Sequence, residues 1–193
     1  IASDGYYHFS FEKTDLQRSR EFLEQLTGQP VEGFRMARMM PVDEKDIKNA
    51  GYTYNSSLNP TFIPGRYNHL DKPRTYFYKE KVLQLPASVT PAFRLPLFWL
   101  TYHNLPAKVY RWLFYRTLKH DGYAITYFHP WEFTNLKAHK EEWKLPFIMT
   151  NHSGEGMVRR LDDLISFLLK KKYSFVTCKE FKQHIQAKEQ KSE

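Results

Sequence analysis

Between Thr14 and Phe181 the hydrophobic pattern switches repeatedly between a helical period and short extended runs, and this alternation restricts the fold more than any other feature. Thr14 to Gln17 reads as a capping box, with Leu16, Leu23 and Leu26 as an apolar stripe behind it and Gly28 as the stop. Val31 to Arg35 then predicts a short strand, Asp43 to Ala50 a helix ended by Gly51, and Tyr52 to Tyr54 a further extended piece. Val82 to Val89 reads as extended and Pro106 to Leu118 as an aromatic-rich helix with Val109, Trp112 and Leu113 on one side. Gly122 to Phe128, rich in β-branched and aromatic residues, predicts a strand that runs directly into His129-Pro130. Met157 to Lys171 predicts an amphipathic helix built on Leu161, Leu164, Ile165 and Leu168, followed by a strand at Ser174 to Thr177 and a last polar helix. Strands alternating with helices predict an α/β fold made of βα units, with a mostly parallel sheet or barrel.

A chain of 193 residues fits one domain with a sizeable core, expected over residues 1–185 with a polar tail at 186–193. No apolar run approaches the roughly 18 residues that span a bilayer, so no transmembrane segment is expected. Lys and Arg outnumber Asp and Glu by 29 to 21, a net charge of +8, a balance that suits nucleic acid, anionic polysaccharide or a phospholipid surface. Much of that excess is local to Lys170-Lys171-Lys172 and to the stretch from Lys179 to Lys191, where a helix C-terminus favours cations. The expectation is therefore a solvated basic face, with no nucleic acid as partner. A lone Cys178 forms no internal disulfide, so the fold does not depend on an oxidising compartment. Bacterial cytoplasm and cell envelope both stay open as locations, and the oligomeric state is not readable. Nucleotide-binding glycine loops and zinc-finger spacings are lacking.

The stretch from Asn55 to Leu105 breaks the regular alternation and holds most of the prolines with many aromatics, among them Tyr67 and Trp99. An irregular segment of this length is commonly functional. Two readings stand: a lid of rings packed on the core, or a rim on which sugar rings stack through their C–H faces.

Four motifs occur in order: Asp4-Gly-Tyr-Tyr-His8, Gly33-Phe34-Arg35, Gly51-Tyr-Thr-Tyr-Asn-Ser-Ser57 and Phe128-His129-Pro130-Trp131-Glu132. In order and approximate spacing the chain resembles the polysaccharide deacetylases of the NodB homology type, in the variant with a His-Pro-Trp-Glu ending. The resemblance covers Ile1 to about Phe181. It implies a distorted (β/α) barrel whose first βα portion, with an Asp-Asp strand end supplying the base and one metal ligand, is expected upstream of Ile1. The only Asp-Asp here, Asp162-Asp163, sits between Leu161 and Leu164 on a predicted helix.

The resemblance also assigns roles. It implies hydrolysis of N-acetyl, or less commonly O-acetyl, groups on an acetylated amino-sugar polysaccharide or oligosaccharide of the cell envelope. The metal positions are Asp4 and His8, in a motif whose first residue is ordinarily histidine. Zinc is the divalent ion implied; the exchange to Asp4 either keeps the site with more oxygen character or abolishes it, leaving a domain that binds glycan without cleaving it. Arg35 corresponds to the arginine that holds the catalytic carboxylate, although Met36-Ala37 follows where the family has x-Pro. His129 corresponds to the general acid that protonates the departing amine. Trp131, Tyr67 and Trp99 are candidates for contact with the sugar. Glu132 is given no chemistry beyond a salt bridge or the orientation of a neighbour.

Overall fold

The computed structural model describes residues 1–7 and 10–191, with Tyr67 by its backbone alone. The chain is mixed α/β and divides into two compact units: residues 1–59, 73–86 and 176–193 form the first, residues 60–72 and 87–175 the second.

The first unit starts from α1, Lys13–Thr27, whose capping residue is Glu12, two residues before the Thr14 that the sequence suggests. Its start is fixed by Asp15, whose carboxylate accepts the Glu12 backbone N–H at 3.0 Å, so Thr14 lies inside the first turn. Gly28 ends the helix in the left-handed conformation with φ 65°, donating to the Glu24 carbonyl. The short α2, Glu44–Asn49, is capped by the Asp43 side chain. The strands are β1 (Gly33–Phe34), β2 (Tyr54–Asn55), β5 (Phe77–Lys79) and β6 (Val82–Gln84), hydrogen-bonded in the order β1-β2-β6-β5. The first three run parallel and β5 is the antiparallel edge. Ser3 adds a parallel bridge to Phe34. Leu16, Val31, Phe34, Met36, Ile47, Tyr52 and Val82 form the core beneath the sheet.

Glycine at 33 is dictated by packing: a Cβ there would lie 2.0 Å from the Tyr54 ring. Two of the motifs are thus joined by one close contact across β1 and β2. The last helix, α7 (Cys178–Gln190), runs past residue 186 into the stretch expected to be a tail. It begins with a capping box between Thr177 and Glu180.

In the second unit, β3 (Phe62–Ile63) and β4 (Tyr67–Asn68) make a small hairpin. The same unit holds α3 (Trp99–Asn104), α4 (Ala107–Asp121), α5 (Phe147–Thr150) and α6 (Glu155–Lys170). The core is helical: Leu97, Tyr102, Tyr110, Phe114, Leu118, Met157, Leu164 and Leu168 pack together.

The stretch expected as a strand from Gly122 to Phe128 joins no ladder among the described residues, and Gly122 itself is the left-handed cap of α4. Ile125 and Ser88 exchange hydrogen bonds of 2.8 Å there. Ala124 and Phe128 pack on the helical core instead. β-branched and aromatic residues mark a half-buried surface, not a sheet as such, and here helices provide that surface. Ser174 to Thr177 likewise forms no ladder, Thr177 being used to cap α7. Among the described residues no helix is long and apolar enough to cross a membrane.

Candidate functional site

Trp99 and His103 are four residues apart on α3, so they share one face of a helix only six residues long. A helix that short is held by its surroundings rather than by propensity. Its last turn is tied down by the buried Arg160, which donates to the carbonyls of Tyr102 at 2.5 Å and Leu105 at 2.6 Å. The Tyr102 hydroxyl donates back to the Arg160 carbonyl, and the guanidinium lies 5.1 Å from the Tyr102 ring centroid.

The second arm is the extended run through Phe128, which ends at His129 and turns into a 3-10 helix at Pro130–Phe133. Proline at the first position presets the turn and lacks only an N–H that would have no helical partner there. Three residues on, Glu132 folds back onto His129. Its Oε1 accepts the His129 backbone N–H at 2.6 Å and the ring Nδ1–H at 2.7 Å. Its other oxygen, Oε2, meets Nε2 of His103 at 3.2 Å.

Burial separates the members of this chain. The side chains of His103 and Glu132 are fully buried, whereas that of His129 is 39% exposed. Burial pushes the Glu132 carboxyl upward, but hydrogen bonds from His103 and His129 outweigh it and hold the group below the usual carboxylate range. Glu132 is thus an ionised acceptor, and the tautomer it selects on His129 carries its hydrogen on Nδ1. Among the described residues Nε2 of His129 has no hydrogen-bond partner.

Aromatic rings fix the remaining freedom of His129. Trp131 stacks on it at 5.1 Å with planes 17° apart, and Trp99 meets it edge-on at 5.5 Å. The two indoles stand 5.1 Å apart at 80°, forming a corner, and Tyr127 closes another side at 6.0 Å. A partly exposed imidazole with one nitrogen anchored and the other open, beside two half-buried indoles, can pass a proton to a ligand whose apolar face lies on the rings.

The expected site residues fall into two groups. His129, Trp131 and Trp99 come together in the second unit. In the first unit, Asp4 and Arg35 are close in the sheet register: Ser3 pairs with Phe34, and the Arg35 backbone N–H donates to the Ser3 carbonyl at 2.8 Å. Arg35 donates from its guanidinium to the Ser56 hydroxyl at 2.7 Å, and Ser56 passes its own hydrogen to the Leu85 carbonyl at 2.7 Å. His8 and the side chain of Tyr67 lie outside the described residues.

Among the described residues no three His, Cys, Asp or Glu side chains converge as a metal site. Asp4 is exposed and offers one carboxylate, which is not a ligand set on its own.

Glu132 and His103 are the site residues to which the sequence assigned no chemistry; for Glu132 it offered a salt bridge or the orientation of a neighbour, and for His103 nothing. Glu132 was within reach, since the i,i+3 spacing from His129 is visible in the motif. His103 was marked only by its i,i+4 spacing from Trp99. The turn Asn151 to Gly156 supports both: the Asn151 carbonyl faces Nδ1 of His103 at 2.5 Å, and the Gly154 N–H donates to the Glu132 carbonyl at 3.0 Å. No protein-family model matches the chain, and no curated protein matches it.

Proposed function

We propose that the chain is a polysaccharide deacetylase-like domain, and that it releases acetate from an N-acetylated glycan with His129 as the proton donor. The observation that carries this reading is the anchored His129, gripped at Nδ1 by a buried carboxylate and open at Nε2 beside the Trp99–Trp131 corner. Deacetylation adds water to the acetamide carbonyl, and the tetrahedral intermediate collapses when its nitrogen is protonated. Nε2 of His129, bare in the neutral Nδ1–H ring, first takes up the proton lost by the attacking water, giving the imidazolium, and then delivers it to the departing nitrogen; Glu132 orients the ring and balances the imidazolium charge. The indole faces offer a stacking surface for the sugar. In this reading Arg35, fixed by Ser56, holds the catalytic carboxylate, and a divalent ion at Asp4 and His8 is the accompanying expectation. A distorted (β/α) barrel is the fold proposed, supported by the parallel run of Ser3, β1, β2 and β6.

Asp4, standing where the family has histidine, favours one other reading: a domain that binds the glycan without turnover. Incubation with N-acetylglucosamine oligosaccharides, with and without added zinc, tests both. Acetate appearing in proportion to protein supports the enzyme. Quenching of tryptophan fluorescence by the oligosaccharide with no acetate under either condition selects the binding domain.

A further inference from the structure

His103 is a fully buried titratable side chain that the proposed chemistry does not touch, and both of its ring nitrogens face oxygen. Nδ1 lies 2.5 Å from the Asn151 carbonyl, which can only accept, so the ring donates there. Nε2 lies 3.2 Å from Glu132 Oε2. With a hydrogen committed to Nδ1, a neutral ring would turn a lone pair toward a carboxylate oxygen. A satisfied contact needs a proton between Nε2 and Oε2, and it resides on the nitrogen whenever Glu132 is ionised.

We propose that His103 is a positioning residue for His129: clamped by the Asn151 carbonyl, it donates from Nε2 to Glu132 and so fixes the carboxylate that holds His129 with Nε2 outward. The surroundings are built for this. The Asn151 side-chain amide and the His152 ring both bond the His103 carbonyl, at 3.1 and 2.8 Å, so the turn after α5 grips the backbone of His103 as well as its ring. Arg160 holds the end of the same helix. Without the His103 donor, Oε2 of Glu132 would be a buried charge lacking its partner, and the carboxylate would reorient or take up a proton. Either change frees the His129 ring to exchange tautomers. The geometry stands by itself; the catalytic consequence rests on the deacetylase reading.

The test compares His103→Asn, which keeps a donor toward Asn151 and loses the one toward Glu132, with His103→Gln, which places an amide N–H toward Glu132. The His129 ring is followed by nitrogen-15 NMR in the full chain at alkaline pH, assigned by its disappearance in His129→Ala. Wild type and His103→Gln should show the Nδ1–H tautomer, and His103→Asn a mixture with Nε2–H. In acetate release, kcat should fall about tenfold in His103→Asn with KM unchanged and recover in His103→Gln, the scale at which loss of a supporting hydrogen bond acts. If His103→Asn fails to fold, nitrogen-15 NMR of the wild-type His103 ring at neutral pH must show a hydrogen on both nitrogens, and a bare Nε2 overturns the proposal. His129 signals identical to wild type in the altered chain overturn the proposal. If the signals respond as expected but no form releases acetate, the positioning role stands and the deacetylase reading falls.

Discussion

His129 and Glu132 show how one side chain sets the chemistry of another. The carboxylate is fully buried and pays for that with three hydrogen bonds from two histidines. Glu132→Gln keeps the shape and allows a matched pattern: the amide oxygen accepts from His129 while its N–H₂ donates to a neutral His103. The variant should therefore fold, but with no charge to balance the imidazolium its kcat should fall on the order of a hundredfold, at the lower end of what acid–base catalysis supplies. Steady-state acetate release with a urea unfolding curve checks both halves. The Glu132 carboxyl is also held below its ordinary range. Its contribution to stability is complete above the unfolded value near 4.3 and is lost as pH falls through the lower folded value; in Glu132→Gln that part of the acid dependence should vanish from unfolding curves taken across the acid range. At this scale the motif made His129, Trp131 and Glu132 legible as neighbours, because three residues of chain connect them. His103 was not legible as their partner: 29 residues separate it from Glu132, and only the packing of α3 against the turn at Pro130 brings the two together.

Elements were read best where a local device ends or starts them. Gly28 and Gly122 close α1 and α4 in the left-handed conformation, and Asp43 caps α2. Gly122 to Phe128 was misread because apolar residues that pack on helices carry the same pattern as a buried strand. The glycine at 33 belongs to a motif, and its reason is steric. Gly33→Ala puts a methyl into the Tyr54 ring and should cost about 1–3 kcal/mol through overpacking; pairing it with Tyr54→Leu should return much of that loss in chemical denaturation. On α3, Arg160→Met removes two hydrogen bonds to carbonyls of the last turn while deleting a buried Nε that has no partner among the described residues. The net loss should be about 2 kcal/mol, with a lower kcat because α3 carries both Trp99 and His103.

Across the whole chain, each of the two units carries its own hydrophobic core, and the proposed proton donor belongs to the helical one. The first unit draws on the C-terminal helix: Lys179 and Lys182 of α7 both pair with Glu32, at 2.7 and 2.5 Å. Hydrogen bonds from these two lysines lower the Glu32 carboxyl from its ordinary 4.5 to about 2. A depressed folded value means that this stability is present above the unfolded pKa and is lost as pH falls from 4.5 toward about 2. Glu32→Gln should flatten that part of the acid-unfolding profile, read by circular dichroism. Two of the chain's basic side chains are thus engaged within the fold. Proton donation by His129 in glycan deacetylation is measured most directly by acetate release from His129→Ala beside wild type. Wild type should release acetate and the variant only at background, with superimposable unfolding curves for the two; release undiminished in His129→Ala would contradict proton donation by His129.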